Sequence, residues 1–174
     1  AEFEFIELDN GGEYIEDGGT FALDLSTDSL SDDSKNIVGA RMVMTYSEDE
    51  TRGGLTCAIT DDTSGADTIT GVLSHIGFNS SASGQNQDDV PASHETLVEW
   101  YDASLIGNVT GVSMADIEAG LNANGAGLGA YSVEISVDVS TGGGVGCTHT
   151  DNGENVDYVI ELIALEYTVI EIKE

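Results

Sequence analysis

The chain has 174 residues, and 33 Asp and Glu against 4 Lys and Arg give it a formal net charge of −29. A surface this acidic repels nucleic acid and anionic lipid, which excludes both as partners. Because molar salt screens such repulsion within about 3 Å, the composition favours a halophilic or marine source, and we expect an archaeal one.

The chain opens on an apolar segment, residues 1–8, that can form a strand. Phe3 and Phe5 fall on one face of an extended chain, and Ile6 and Leu8 fall on the other. Such a strand either closes its own sheet or completes the sheet of a neighbouring subunit. We predict the second fate, an exchanged assembly strand.

Alternation of apolar and polar residues, typical of one-sided antiparallel strands, dominates the rest of the chain. Strands are predicted near residues 3–8, 21–25, 37–47, 55–60, 67–74, 94–101, 131–139 and 156–172. One short helix is predicted near 114–123, because Ser113 can cap its start and Asn124 and Gly125 can end it. These elements predict a single all-β domain over 1–174, an antiparallel β-sandwich of about 8–10 strands of the jelly-roll or immunoglobulin-like type.

An internal hairpin repeat relates residues 51–62, TRGGLTCAITDD, to residues 141–152, TGGGVGCTHTDN. The two explanations are a duplicated hairpin, which we favour, and independent use of Gly-rich turns. Aligning the copies superposes Cys57 on Cys147, and two such cysteines in an exported chain predict a disulfide. The alternative is a metal site that these two cysteines form with His149.

Acidic side chains recur at the end of each copy of the repeat and just beyond it. Clustered hard oxygens on hairpin ends are typical calcium ligands, although the EF-hand spacing is absent. The alternative is a solvated acidic rim that binds no ion. The candidate calcium ligands are Asp61, Asp62, Asp67, Asp151, Asn152, Glu154 and Asp157.

Two sequons predict N-glycosylation, at Asn79 and at Asn108. No nucleophile motif of the GxSxG type and no CxxC pair is present, so we expect no enzymatic activity. No apolar stretch is long enough for a membrane span, and the start at Ala1 without an apolar leader is typical of a mature exported protein. We therefore expect a secreted or cell-surface location.

The C-terminal run VDYVIELIALEYTVIEIKE is apolar on both faces when extended. Three arrangements explain such a run: a bend at a bulge, a split into two strands, or coverage of both faces.

A mature N-terminal strand, a single acidic sandwich and no pilin-type N-terminal helix together make a plan that resembles the secreted subunits of archaeal surface filaments, namely bundling pili and cannula-like tubes. The resemblance implies a structural extracellular protein that forms a homopolymer by β-strand donation. The second hypothesis is a secreted calcium- or glycan-binding β-sandwich module, with calcium as the cofactor.

Overall fold

The computed structural model describes residues 1–30, 34–54, 57 and 63–171. The strands are β1 (Glu2–Glu16), β2 (Thr20–Ser26), β3 (Ile37–Tyr46), β4 (Thr51–Gly53), β5 (Asp67–His75), β6 (Phe78–Asn86), β7 (Ala92–Glu99), β8 (Ala130–Asp138), β9 (Gly143–Gly144), β10 (Cys147–Thr150) and β11 (Gly153–Glu166). The α-helix α1 spans Met114–Leu121, and 3-10 turns span Thr27–Ser29 and Ala103–Leu105. No helix in these ranges has the length and apolar character that crossing a membrane requires.

The eight long strands form two four-stranded antiparallel sheets. The first sheet has the order β1-β11-β3-β7 and the second has the order β2-β8-β5-β6. Counting only the long strands along the chain, these orders are 1-8-3-6 and 2-7-4-5, which is the pairing of a jelly roll. The predicted all-β antiparallel fold is confirmed, and the topology is the jelly-roll alternative rather than the immunoglobulin-like one. A small third sheet, β4-β10-β9, lies beside the two large ones.

The inner faces of the two large sheets share one hydrophobic core, which makes the fold a sandwich. Met42 and Met44 of β3 and Ile69 of β5 are completely buried in it. A Cβ atom on Gly71 of β5 would lie 2.5 Å from the Met42 Cε atom of the opposite sheet. A side chain at this position would therefore require the ends of the Met42 and Met44 side chains to shift within the packed core.

A second, smaller cluster covers part of the outer face of the first sheet. Val38 of β3, Leu121 of α1, and Ile163 and Leu165 of β11 are buried together there. The helix begins where the sequence predicts, because the Ser113 hydroxyl accepts a hydrogen bond from the Asp116 N–H group at 3.2 Å. Strand β11 is therefore covered on both faces, which explains its two-sided apolar pattern.

Several strands differ from the sequence prediction, and the strand predicted over 156–172 begins at Gly153 and ends at Glu166. Strand β1 continues to Glu16 and pairs with β11 of its own sheet over its whole length. Strand β6 is not predicted by its sequence, FNSSASGQN, because no regular apolar alternation marks it. Most of the predicted strand at 55–60 lies outside the described residues. The repeat copies meet where Thr51 of β4 pairs with Thr150 of β10.

Candidate metal centre

Four acidic side chains converge at the end of the sandwich beside the small sheet. Glu48 follows β3, Asp67 opens β5, Asp151 follows β10, and Glu154 is the second residue of β11. One carboxylate oxygen from each residue lies within 4.8 Å of the oxygens from the other three. Because β5 belongs to one large sheet and β3 and β11 belong to the other, this four-carboxylate site joins the two sheets.

The site is buried, and several of its oxygens have no hydrogen-bond donor. Asp67 and Glu154 are 0% exposed and Glu48 is 5% exposed. The buried oxygens without a hydrogen-bond partner are Glu48 Oε2, Asp67 Oδ2, Asp151 Oδ2, Glu154 Oε1 and Glu154 Oε2. A buried anionic oxygen without a partner is energetically costly, and such oxygens on four converging residues can be satisfied by a bound cation or by protons.

Backbone N–H groups hold three of the four carboxylates through their second oxygen. The hydrogen bonds run from Glu50 N to Glu48 Oε1 (3.0 Å), from Ser140 N to Asp67 Oδ1 (2.7 Å) and from Gly153 N to Asp151 Oδ1 (3.0 Å). Each bond orients a carboxylate so that its other oxygen faces the site, as outer-shell bonds do in metal centres.

A glycine shapes the turn that brings two of the ligands together. Gly153 lies between Asp151 and Glu154 and has a φ of 147°. A Cβ atom there would lie 2.2 Å from the Ile15 carbonyl oxygen on β1. Only glycine combines this φ with this approach, so residue 153 fixes the start of β11 at the site.

Burial raises the pKa values of the site. It raises the pKa of Glu48 to about 7, and the charges of Asp67 and Asp151 add to the effect, although the hydrogen bond from Glu50 N opposes it. Burial is also the main cause that raises the pKa values of Asp67 and Glu154. Without a cation, the carboxyl groups of Asp67 and Glu154 can hydrogen-bond to each other only if one of them carries a proton. The site therefore holds either protons or a metal ion.

The ion pairs of the basic side chains lie elsewhere in the described part of the chain. Lys35 pairs with Glu4, and the His149 Nδ1 atom lies 2.9 Å from the Glu50 Oε2 atom. Arg41 pairs with Glu161 at 2.6 Å and with Glu95 at 3.3 Å. The site is thus not neutralised by an ion pair among these residues.

The geometry and chemistry of the site fit calcium. Oxygens that all bind one ion at about 2.4 Å, a typical Ca²⁺–oxygen distance, lie no more than about 4.8 Å apart. The observed oxygens meet this limit. Glu154, with two unpartnered oxygens, fits the bidentate carboxylate common in calcium sites. Zinc prefers nitrogen and sulfur ligands, and Mg²⁺ demands a tighter octahedron and usually retains several waters.

The structure brings together three of the seven predicted calcium ligands, namely Asp67, Asp151 and Glu154. Asn152 and Asp157 are exposed and lie outside the four-carboxylate site. Asp61 and Asp62 lie outside the described residues. Glu48 was not predicted, although its place in the acidic run that directly follows the buried strand β3 is a usable signal.

The predicted disulfide is present beside the site. The sulfurs of Cys57 and Cys147 are 2.02 Å apart, so neither thiolate is available for the alternative metal site with His149. Both sequon asparagines, Asn79 on β6 and Asn108 before α1, are exposed, and their glycosylation stays a prediction.

No protein-family model matches this chain, and no curated protein sequence matches it. A jelly roll carries many unrelated functions, so the fold alone assigns none. The four-carboxylate site is therefore the feature of this chain that bears on its function.

Proposed function

We propose that this chain is a secreted, calcium-binding structural module of the cell surface. A Ca²⁺ ion held by the four-carboxylate site clamps the two sheets of the jelly roll together. The five buried carboxylate oxygens without hydrogen-bond donors carry the proposal. The disulfide supports an oxidising compartment outside the cytosol, where calcium is also abundant enough to fill weak sites.

The burial of the site favours a structural role for the ion over a catalytic one. A catalytic metal keeps an open coordination position for substrate. Here Asp67 and Glu154 are completely buried, and only Asp151 is partly exposed. The ion would therefore contribute folding free energy, because the ligands converge only in the folded chain.

Calorimetric titration of the chelator-treated chain with CaCl₂ tests the proposal. We expect one ion per chain, with a dissociation constant of about 10⁻⁴ M or tighter, as in extracellular calcium modules. Glu154→Gln removes one charge and a bidentate ligand, so its affinity should fall by about tenfold or more. Asp157→Asn removes one charge on the same strand outside the site and should bind like the wild type. The absence of saturable calcium binding would reject the proposal.

A second candidate function, subunit of an extracellular filament, is favoured by the first half of β1. Phe3 and Phe5 are 43% and 47% exposed on an edge strand. The register of β1 on β11 shifts between Glu7 and Asp9. This irregularity divides residues 2–7 from the second half of β1, which pairs with β11 near the four-carboxylate site. In the single chain these residues pair with β11, and donation to a neighbour therefore requires them to leave that place.

Deleting residues 1–8 tests the filament function. The full chain should form polymers visible by electron microscopy at high protein concentration, and the truncated chain should not. Retained calcium binding would show that the truncated chain is folded. Strand donation is wrong if the full chain never polymerises, or if the truncated chain polymerises equally well.

A further inference from the structure

The β5–β6 hairpin is the least charged part of this acidic chain. Residues 68–87 contain no Asp, Glu, Lys or Arg, whereas 21% of all residues are charged. No other run without these residues is as long. The charge that repels other acidic molecules from most of the surface is therefore missing here.

Strand β6 lies at the edge of the second sheet and pairs only with β5. A two-residue turn, Ile76–Gly77, joins these strands, and both residues have a positive φ. Such a turn is closed by a hydrogen-bonded pair, here His75 with Phe78, and the bonding direction then alternates along the strand.

Because of this alternation, the N–H and C=O groups of every second residue of β6 point away from β5. The residues with outward backbone groups are Asn79, Ser81, Ser83 and Gln85. All four are exposed, and no hydrogen bond between described residues uses their backbone N–H or C=O groups. They form a row of exposed donors and acceptors, not paired within the described chain, that can pair with another strand.

The other sheet edges carry the charges that usually prevent such pairing. Strand β1 contains six acidic residues, β2 contains Asp24, and β7 contains Glu95 and Glu99 and follows Pro91. Strand β6 has neither a charge nor a proline. Among the four edges of the two large sheets, β6 is the one that lacks these protections.

We infer that β6 is the docking edge for a second copy of this chain, whose own β6 pairs with it antiparallel to form one continuous sheet. A two-fold axis through Ala82 places Ser81 opposite Ser83 and Asn79 opposite Gln85. Small polar side chains then meet across the axis, and serine pairs of this kind form cross-strand hydrogen bonds. This register is self-complementary.

The distribution of charge favours contact between two copies at the β6 edge over contact through their other surfaces. Each copy carries a net charge of −29, so contact through most other surfaces brings carboxylates together. Strand β6 itself brings no carboxylate to the contact, while the remaining long-range repulsion is screened by salt. The dimer should therefore tighten as the NaCl concentration rises.

Sedimentation velocity with the full chain, produced without glycosylation and saturated with calcium, tests the inference in molar NaCl. The substitution Ser81→Pro removes an outward N–H group and leaves the β5 ladder intact, because proline is tolerated on a strand edge. Ser81→Val keeps that N–H group and is the matched control. The wild type and Ser81→Val should dimerise, and the dissociation constant of Ser81→Pro should rise by at least tenfold.

Two results would overturn the inference: a wild type that is monomeric at every salt and protein concentration, or a Ser81→Pro variant that dimerises like the wild type. If Ser81→Pro lacks the far-ultraviolet circular dichroism of the fold, Ser83→Pro replaces it, since its N–H group also faces outward. Calcium titration of each variant should match the wild type, which separates this edge from the metal site. Deletion of residues 1–8 should leave the dimer unchanged, which separates it from strand donation.

Discussion

Saturating calcium is expected to raise the thermal unfolding midpoint of the chelator-treated chain by about 5–11 °C. A ligand at 100 times its dissociation constant stabilises the folded state by about 2.7 kcal/mol. In a domain of this size, each 1 kcal/mol moves the midpoint by about 2–4 °C. At the same calcium concentration, a tenfold weaker Glu154→Gln should lose about half of the gain, and Asp157→Asn should retain it. Differential scanning calorimetry with calcium and with a chelator measures the midpoint shift of the wild type and of each variant.

The stabilisation by calcium should grow as pH rises. In the cation-free chain, burial raises the pKa of Glu48 to about 7 and also raises the pKa values of Asp67 and Glu154. The folded state then binds more protons than the unfolded state, so these groups stabilise it below their ordinary pKa values near 4. That stabilisation is lost as pH rises through the raised values. Calcium competes with the same protons and therefore binds better at higher pH.

Measuring the unfolding midpoint across pH distinguishes calcium binding at the four-carboxylate site from general screening of the surface charge. As pH rises from 5 to 8, these three carboxyl groups should lower the thermal unfolding midpoint of the calcium-free chain. The midpoint with calcium should fall less over the same range. Equal midpoints with calcium and with chelator across this range would show that the four carboxylates do not bind the ion. Molar NaCl in both arms screens the surface charge equally.

Removing the disulfide should have the second large effect. Cys57 and Cys147 are 90 positions apart, and opening a loop of this length costs about 2–5 kcal/mol in stability. The double substitution Cys57→Ala and Cys147→Ala should therefore lower the unfolding midpoint by about 4–20 °C. The measurement is made with saturating calcium, so that the metal site stays filled.

A matched control separates the covalent link from the loss of two side chains. Reduction of the wild type should destabilise it to a similar degree, while the reductant should leave the double variant unchanged. An unchanged midpoint in the double variant would mean that the link does not restrict the unfolded chain, contrary to the loop-entropy argument.

Much of the fold follows from local patterns in the sequence. The alternation in residues 131–139 predicts β8, whose inward side chains, including Tyr131 and Ile135, are buried in the core. The pattern fails at β6, because small polar residues form this strand through pairing with β5 rather than through apolar burial. Strand order is also beyond local patterns, since β11 joins β1 to β3 from the far end of the chain.

The four-carboxylate site is only partly predictable, because packing between distant strands assembles it. The repeat directs attention to Asp67, Asp151 and Glu154, which the structure brings together, because hairpin ends concentrate acidic residues. It also suggests Asn152 and Asp157, which are exposed and lie outside the site. Glu48 joins the site through the packing of β3 against β11, a contact that no local pattern reveals.

A crystal structure of the chain grown with calcium would show directly whether the four carboxylates hold the ion. We expect one ion at the four-carboxylate site, with Glu48, Asp67, Asp151 and Glu154 oxygens about 2.3–2.6 Å from it. Anomalous scattering from Tb³⁺ exchanged into the same crystals should mark the same position. A site that contains only water, or carboxylates that turn away from one another in saturating calcium, would contradict this expectation.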